Sequence, residues 1–442
     1  MRVQRPEERT EARVRWAAGF KVHVGVDAGK TAHQWVSCGP ERLRRPAERV
    51  PVSRVGFEAA ARALLAAHPG TTPADVLVGI EYGGHHGMTF AAFLRAWGAT
   101  LVTVSAVVTK RLKEVEDNSP RKDDVKDAGQ VCRLVGQGLF VETAVLAPLV
   151  AELRLLTTER HRLAVEQTRL TNRLQAALDL AWPEFLDHFA RVQQRTPRAL
   201  LAKWPLAADL AAAPFPAVAR LVRTVSQGHH KADEVRALQA TARTSIALTS
   251  ASAGRRSEVG RLLARLDLAG AQLTEVEAAL EALVAQHRGA AALTTVPQVG
   301  PLCAATLIAE LGTPDGFAAA RQVLKLAGMN LARRSSGTSL QSRVRATKRG
   351  RPLLRRQLFL LAGRWCRPDG LLRADYEALV KRNGGRKVSA VCAIARRLVP
   401  LLLHIAQTGE AWDEARWRRA RQANGHRDPL ATLTREAVDA VA

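Results

Sequence analysis

The chain has 442 residues, enough on the usual ~150-residue prior for about three domains and a large core, and 66 Lys and Arg against 41 Asp and Glu leave a formal charge of +25. Such a field favours a polyanionic partner, nucleic acid first, while the five cysteines (Cys38, Cys132, Cys303, Cys366, Cys392) are odd in number and never spaced C-x-x-C, which excludes a disulfide framework and a zinc site. The apolar runs, such as LVPLLLHIA at 398–406, are shorter than a membrane span and the Arg-bearing N-terminus lacks an apolar stretch after it, so the expectation is a cytoplasmic protein with no membrane insertion.

In chain order, residues 1–20 are charged and read as a mobile basic arm. Val22, Val24 and Val26 then alternate with His23, Gly25 and Asp27, the period of a half-buried strand that ends on Asp27. The turn residues AGKT and a returning strand over 33–38 put Asp27 at the mouth of a β-hairpin. ERVPVS at 48–53 reads as a third strand, and Ser53 caps a helix to about His68 with Val55, Phe57, Leu64 and Leu65 facing inward. DVLVGIE at 75–81 is again strand-like and closes on Glu81, with Tyr82 beside it and His85 and His86 as helix-start residues. A helix over 88–97 and a strand over 100–105 complete a βββαβαβ order, that of an RNase H-like α/β fold.

KRLKEVEDNSPRKDDVKDAGQVCRLVG at 110–136 is polar and then helical, with Ser119 and Pro120 marking the start. Asp124 and Asp127, three apart, share a helical face, where like charges cost energy unless a cation sits between them. Asp27, Glu81, Asp124 and Asp127 thus arrive from two strand ends and one helix, the donor set of a site for one or two Mg²⁺ ions in phosphodiester chemistry. From Leu149 to Ala177, Leu149, Leu153, Leu156, Arg160, Leu163, Gln167, Leu170, Leu174 and Ala177 form a heptad seam with polar breaks. Leu262, Leu266, Ala269, Leu273, Val276, Leu280 and Leu283 repeat the spacing, as an antiparallel pair within the chain or a coiled coil between protomers.

LTTVPQVGPLCAATLIAELG at 293–312 reads as a hairpin followed by a helix, with Pro297, Gly300 and Pro301 in the turn, a seat for phosphate at a helix N-terminus. Between Arg333 and Arg356 stand nine Lys or Arg and no acidic residue, with Ser, Thr and Gly interspersed, a phosphate-gripping loop. Arg333, Arg334, Arg343, Arg345, Lys348, Arg349 and Arg351, with Gly300, are the candidate nucleic-acid contacts. Helical stretches over 353–361 and 388–403 follow, then a basic tail (ARWRRAR, 415–421); Trp35, Trp97 and Trp365 read as core.

The strand VGVDAGK, the segment IEYGG, the signature K-x-D-x-x-D-A as KDDVKDA at 122–128, and VPQVGPLCAATLIAELG followed by SSG and TKRGRPLLRR come in one order over nearly the whole chain. In that order they resemble the DEDD transposases of the insertion sequence 110 family and the related Piv DNA invertases. The resemblance implies a RuvC-like (RNase H-like) α/β domain at 21–145 with Asp27, Glu81, Asp124 and Asp127 as an acidic tetrad for Mg²⁺. It further implies coiled-coil helices with a helical insert at 146–290, a mostly helical C-terminal transposase domain with a helix-hairpin-helix-like segment at 291–410, and a basic tail at 411–442. Ser336, directly before Gly337, is the implied nucleophile. Asp123 stands where the family usually has Thr and competes with Asp124, which the spacing to Asp127 favours; Ser335 competes with Ser336, and Ser339 and Ser342 are near.

The implied reaction is attack by the serine hydroxyl on a DNA phosphodiester, a covalent phosphoserine link, and rejoining after strand exchange without free hydrolysis. The implied assembly is a homo-oligomer, dimer or tetramer, in which the acidic domain of one protomer meets the serine domain of another. Its implied partners are donor and target DNA and a structured noncoding (bridge) RNA, with base pairing reading sequence and protein reading backbone shape. The competing readings are a site-specific invertase of the same chemistry, a metal-dependent nuclease or Holliday-junction resolvase in which Ser336 is incidental, and a non-enzymatic nucleic-acid binder on a decayed fold.

Overall fold

The structure is a computed structural model that describes residues 6–39, 44–82, 84–117, 124–143, 145–332, 335–336, 340–341 and 345–423. The chain divides into two units, Met1–Val145 and Leu146–Ala442.

In the first unit, α1 (Pro6–Ala17) is followed by β1 (Val22–Asp27), β2 (Ala32–Cys38) and β3 (Glu48–Pro51) as an antiparallel meander. Then come α2 (Arg54–Ala67), β4 (Val76–Glu81), α3 (Met88–Trp97), β5 (Thr100–Val104), α4 (Ala106–Asp117), α5 (Asp124–Gly136) and β6 (Val141–Glu142). The sheet order is β3-β2-β1-β4-β5-β6, with β1, β4 and β5 parallel. This mixed sheet with flanking helices is compatible with the expected RNase H-like order. The alternation built into the strands sends Val22, Val24, Val26, Val78 and Ile80 to one face, where they pack with Phe57, Phe90 and Leu94 of α2 and α3. The opposite face packs Leu77, Val102 and Val104 against Val131, Leu134 and Val135 of α5. Each such buried aliphatic contributes about 1.5–3 kcal/mol of transfer free energy.

Two expectations change here. Residues 6–17 are helical rather than a mobile arm: Ala17 is buried in the core beneath the sheet, and Trp16, itself exposed, still meets Phe20 edge-to-face (5.1 Å) and Phe140 (5.7 Å). α4 lies in a stretch read as polar connection; the expected start at Ser119 and Pro120 lies outside the described residues.

The second unit opens on α6 (Pro148–Ala181) and returns along α12 (Ser252–Gln286) after five short helices, α7 (Phe185–His188), α8 (Arg195–Lys203), α9 (Ala207–Ala212), α10 (Phe215–Ser226) and α11 (Ala232–Arg243). α6 and α12 pack as an antiparallel pair within the chain: Leu153, Leu163, Leu170 and Leu174 are buried on one, Leu262, Leu266, Leu273 and Leu280 on the other. Arg160 bridges Glu277 (2.7 Å) and Arg265 bridges Glu166 (3.3 Å), which fixes the opposed directions. α13 (Arg288–Thr294), α14 (Pro301–Leu311), α15 (Ala320–Leu326), α16 (Pro352–Trp365), α17 (Arg373–Arg382), α18 (Lys387–Thr408) and α19 (Glu414–Ala423) complete the unit. Between α15 and α16 lie four two-residue strands, β7 (Leu331–Ala332), β8 (Ser335–Ser336), β9 (Leu340–Gln341) and β10 (Arg345–Ala346).

The segment at 293–312, expected as a hairpin before a helix, runs from the last two residues of α13 through a tight turn into α14. Apolar run length also misjudged α18: its 22 residues are long and apolar enough, by length and composition alone, to cross a membrane. It is a core helix here, with Ala390, Ile394, Leu398 and Leu402 buried, and it packs on α13, α16 and α17. The basic tail begins with α19, whose Trp417 is buried in a cluster with Trp365 (6.1 Å) and Trp412 (5.5 Å).

Candidate functional site

β1 and β4 are parallel neighbours in register, so Asp27 stands beside Glu81 at the strand ends. The hairpin pairs Asp27 with Gln34 on its other side. Side chains alternate along a strand and adjacent strands lie about 4.8 Å apart. Gly25, Asp27, Gly79 and Glu81 therefore share the face opposite the valines, the face on which α5 rests.

The two glycines make that rest possible. A Cβ at Gly25 would overlap the backbone of Ala128 and Cys132, and one at Gly79 would overlap Val135. α5 runs against β1: Gly136 faces His23 near the strand's start, while Ala128 and Cys132 lie over Gly25. Its first turn, with the backbone of Asp124 and Asp127, consequently lies toward Asp27 and Glu81. Asp127 is buried (8% exposed), and Glu81 Oε2 is buried with no hydrogen-bond partner among the described residues. Asp123 and the Asp124 side chain lie outside the described residues.

Two adjacent carboxylates, one with an unmet oxygen, are costly in a protein interior. A hard divalent cation with oxygen ligands relieves that cost, so the donor chemistry fits one. Among the described residues, however, no three His, Cys, Asp or Glu side chains stand together as a formed metal-binding group. The set is aligned by strand register and helix placement rather than closed around a point.

Tyr82 belongs to the opposite face, because it follows Glu81 by one residue; it packs with the α2 and α3 core, and burial pushes its phenol pKa up while Arg95 opposes that. His85 and His86 lie in the turn before α3, ring centres 4.2 Å apart. Gln34, the register partner of Asp27, escaped the sequence reading, since only hairpin register reveals it.

In the second unit, the stretch expected as a loop is a β-ribbon of two short ladders. Leu331 pairs with Ala346 and Ala332 with Arg345. Ser335 pairs with Gln341 and Ser336 with Leu340. Arg333, Arg334, Gly337, Ser339, Ser342 and Arg343 lie outside the described residues. Lys348 and Arg349 are exposed just beyond the ribbon. Arg351 has a different role: its guanidinium donates to the Glu310 carbonyl (2.7 Å), and Arg154 donates to that of Ala309 (2.8 Å). Together they cap the C-terminus of α14, where the helix dipole favours cations. Gly300 is the exposed N-cap of α14, and the turn before it is pinned by α16, Arg364 donating to Gln298 O (3.0 Å) and Trp365 Nε1 to Pro297 O (2.8 Å).

Comparison with known proteins adds an independent line. Residues 24–183 match the IS110-type DEDD transposase family. Residues 290–377 match a second family, described as Transposase IS116/IS110/IS902 family. The chain is also similar to an insertion element IS110 protein of Streptomyces coelicolor, described as an uncharacterized 43.6 kDa protein, with 25% identity over 404 residues covering 89% of this chain and 95% of that one.

Proposed function

The chain belongs to the IS110 family of transposases, enzymes that act on DNA, and on that premise we propose that it cuts and exchanges DNA strands through a phosphoserine intermediate, with a carboxylate-bound metal ion. The observation that carries the reading is the in-register pairing of Asp27 with Glu81 on the face that seats the first turn of α5. A DEDD domain implies a divalent metal. We take it to be Mg²⁺, held by Asp27, Glu81, Asp124 and Asp127, where it would stabilise charge on the phosphoryl oxygens.

In this reading Ser336 Oγ attacks a DNA phosphorus. The bond from phosphorus to one deoxyribose oxygen breaks, that oxygen leaves as a hydroxyl with the serine's proton, and the phosphate stays esterified to Ser336. A hydroxyl on another strand reverses the step and releases the serine. One phosphodiester is exchanged for another, so no external energy source is needed. Lys348, Arg349 and the arginines at 333, 334, 343 and 345 supply phosphate contacts around the ribbon, and the exposed N-terminus of α14 at Gly300 offers another. Exchange needs more than one cut strand, which supports a homo-oligomer, and a structured noncoding RNA would choose the sequence by pairing. In this reading residues 21–145 are a RuvC-like domain, 146–290 coiled-coil helices with a helical insert, and 291–410 a C-terminal transposase domain, the last two lying within the second unit.

Covalent trapping tests this. Protein, co-purifying RNA and nicked junction DNA are incubated with Mg²⁺, denatured, and probed for DNA attached to protein. The expected adduct is lost in Ser336→Ala and Asp124→Asn and kept in Ser335→Ala. Cleavage without adduct, indifferent to both serine changes, would replace the proposal with a metal nuclease.

A further inference from the structure

The α6/α12 pair is held by its buried leucines, yet its outer surface carries arginines that packing does not require. Arg162, Arg169 and Arg173 of α6 and Arg265 of α12 line one open groove of about 590 Å³. Offsets of seven and four residues keep the three α6 arginines on one helical face. The groove holds one carboxylate, Glu166, and Arg265 engages it at 3.3 Å with both side chains half exposed. Arg169 and Arg173 are exposed and make no ion pair among the described residues, and Arg162, 72% exposed, stands 3.8 Å from Glu159. Four guanidinium groups against Glu166 in the groove and Glu159 at its edge leave a positive surplus.

One end of the groove lies within electrostatic reach of α16. His161, at its end, lies near Arg356 of α16; burial, with the charges of Arg356 and Arg160, holds its imidazole below the ordinary range. From Arg162 to Arg173 the helix rises about 17 Å, the length of roughly five phosphates along one strand of a duplex at 3.4 Å each. No Trp, Tyr or Phe lines the groove, so it offers no stacking platform for unpaired bases.

We infer that this groove holds the phosphodiester backbone of the DNA duplex outside the cut site, with Arg162, Arg169 and Arg173 as its phosphate contacts. The inference rests on DNA being the family's substrate and not on the serine chemistry, so a binding measurement separates the two. Fluorescence anisotropy of the full-length protein is followed against salt for a duplex ending near the cut site, for one extended by about 15 base pairs on each flank, and for an RNA hairpin. For the double variant R169Q/R173Q, the slope of log K against log salt on the extended duplex falls by about 1.8, at ~0.9 per phosphate contact, with little change on the short duplex. Glu166→Gln, which frees Arg265, tightens binding and steepens the slope, the opposite sign to any loss of fold. An unchanged slope on the extended duplex overturns the inference. So does a loss confined to the RNA hairpin, which would make the groove an RNA seat, or a change of mass by light scattering with an unchanged slope, which would make it a protein interface.

Discussion

Gly25→Ala is the sharpest test of how the acidic site is assembled. Gly25 does not have the positive φ that favours glycine, so an alanine is compatible with the backbone and only contact matters. The added Cβ would come within 2.7 Å of Cys132 Cα, against 3.4–4 Å for ordinary contact, and would also overlap the Cys132 nitrogen and the Ala128 carbonyl. These are backbone atoms of a helix, so no rotamer change can relieve the overlap. The two closer overlaps set the displacement, so α5 must lift from the sheet by roughly 1 Å, close packing leaving no void to absorb it. Overpacking of this kind costs about 1–3 kcal/mol, offset by about 0.4–1 kcal/mol from the stiffer unfolded chain. The larger effect is on chemistry: Asp127 rides on the same helix one residue before Ala128, and a displacement near 1 Å at a reacting centre can cost ~10²-fold in rate. Urea unfolding followed by circular dichroism and metal-dependent cleavage of junction DNA measure the two effects. Gly260→Ala on α12, where a Cβ meets nothing within 4 Å, is the control and is expected to gain about 0.5–1 kcal/mol. If Gly25→Ala matched the wild type in stability and cleavage, the close seat of α5 on β1 would be wrong.

Other perturbations follow from the same structure. Mg²⁺ at a hundred times its dissociation constant should stabilise the wild type by about 2.7 kcal/mol; Glu81→Gln should lose most of that thermal shift, and an undiminished shift would remove Glu81 from the metal site. His33 is buried (1% exposed) and stacked on Phe90 (5.1 Å) and Phe57 (5.9 Å), and burial lowers its pKa from 6.5. The folded form then binds fewer protons than the unfolded one, so the contribution is full above pH 6.5 and is lost as pH falls below it. His33→Phe should accordingly flatten the decline of the urea midpoint between about pH 6.5 and 5, and an unaltered decline would count against the assignment. Trp417→Ala should cost the second unit about 3–5 kcal/mol, read by urea unfolding, since it empties the centre of the tryptophan cluster; a cost under about 1 kcal/mol would mean the tail is merely draped there.

The parts of the fold legible from sequence are those whose signal is local. β1, β4 and α3 end where alternation and helical period place them, and Ser53 caps α2 by accepting from Gly56 N at 3.1 Å. Asp27 and Glu81 are legible as strand-end carboxylates for the same reason. What escapes depends on partners distant in sequence. Gly25 and Gly79 are unremarkable until α5 is laid across them, and Gln34 is unremarkable until the hairpin register is known. Trp412 and Trp417 sit among charges, and the partial burial of the first and full burial of the second follow from packing on Trp365, some fifty residues earlier. α13 escapes the sequence reading, which starts its hairpin at Leu293; the burial of Ala290 and Ala292, in a helix packed on α14 and α18, is what holds it.

Because α6 and α12 run in opposite directions, the chain that leaves along one comes back beside its point of departure, the Leu180 carbonyl accepting the Leu248 N–H at 3.0 Å. Everything between them packs about Trp182, Phe185, Leu200, Leu210 and Val218, a core shared only with the neighbouring stretches of those two helices. That region is in physical terms a self-contained cassette. It can lengthen, shrink or be replaced by a bare turn while the register in which the two helices enter the rest of their unit stays as it was, and new attachments can be tried there without re-inventing the scaffold that carries the serine ribbon.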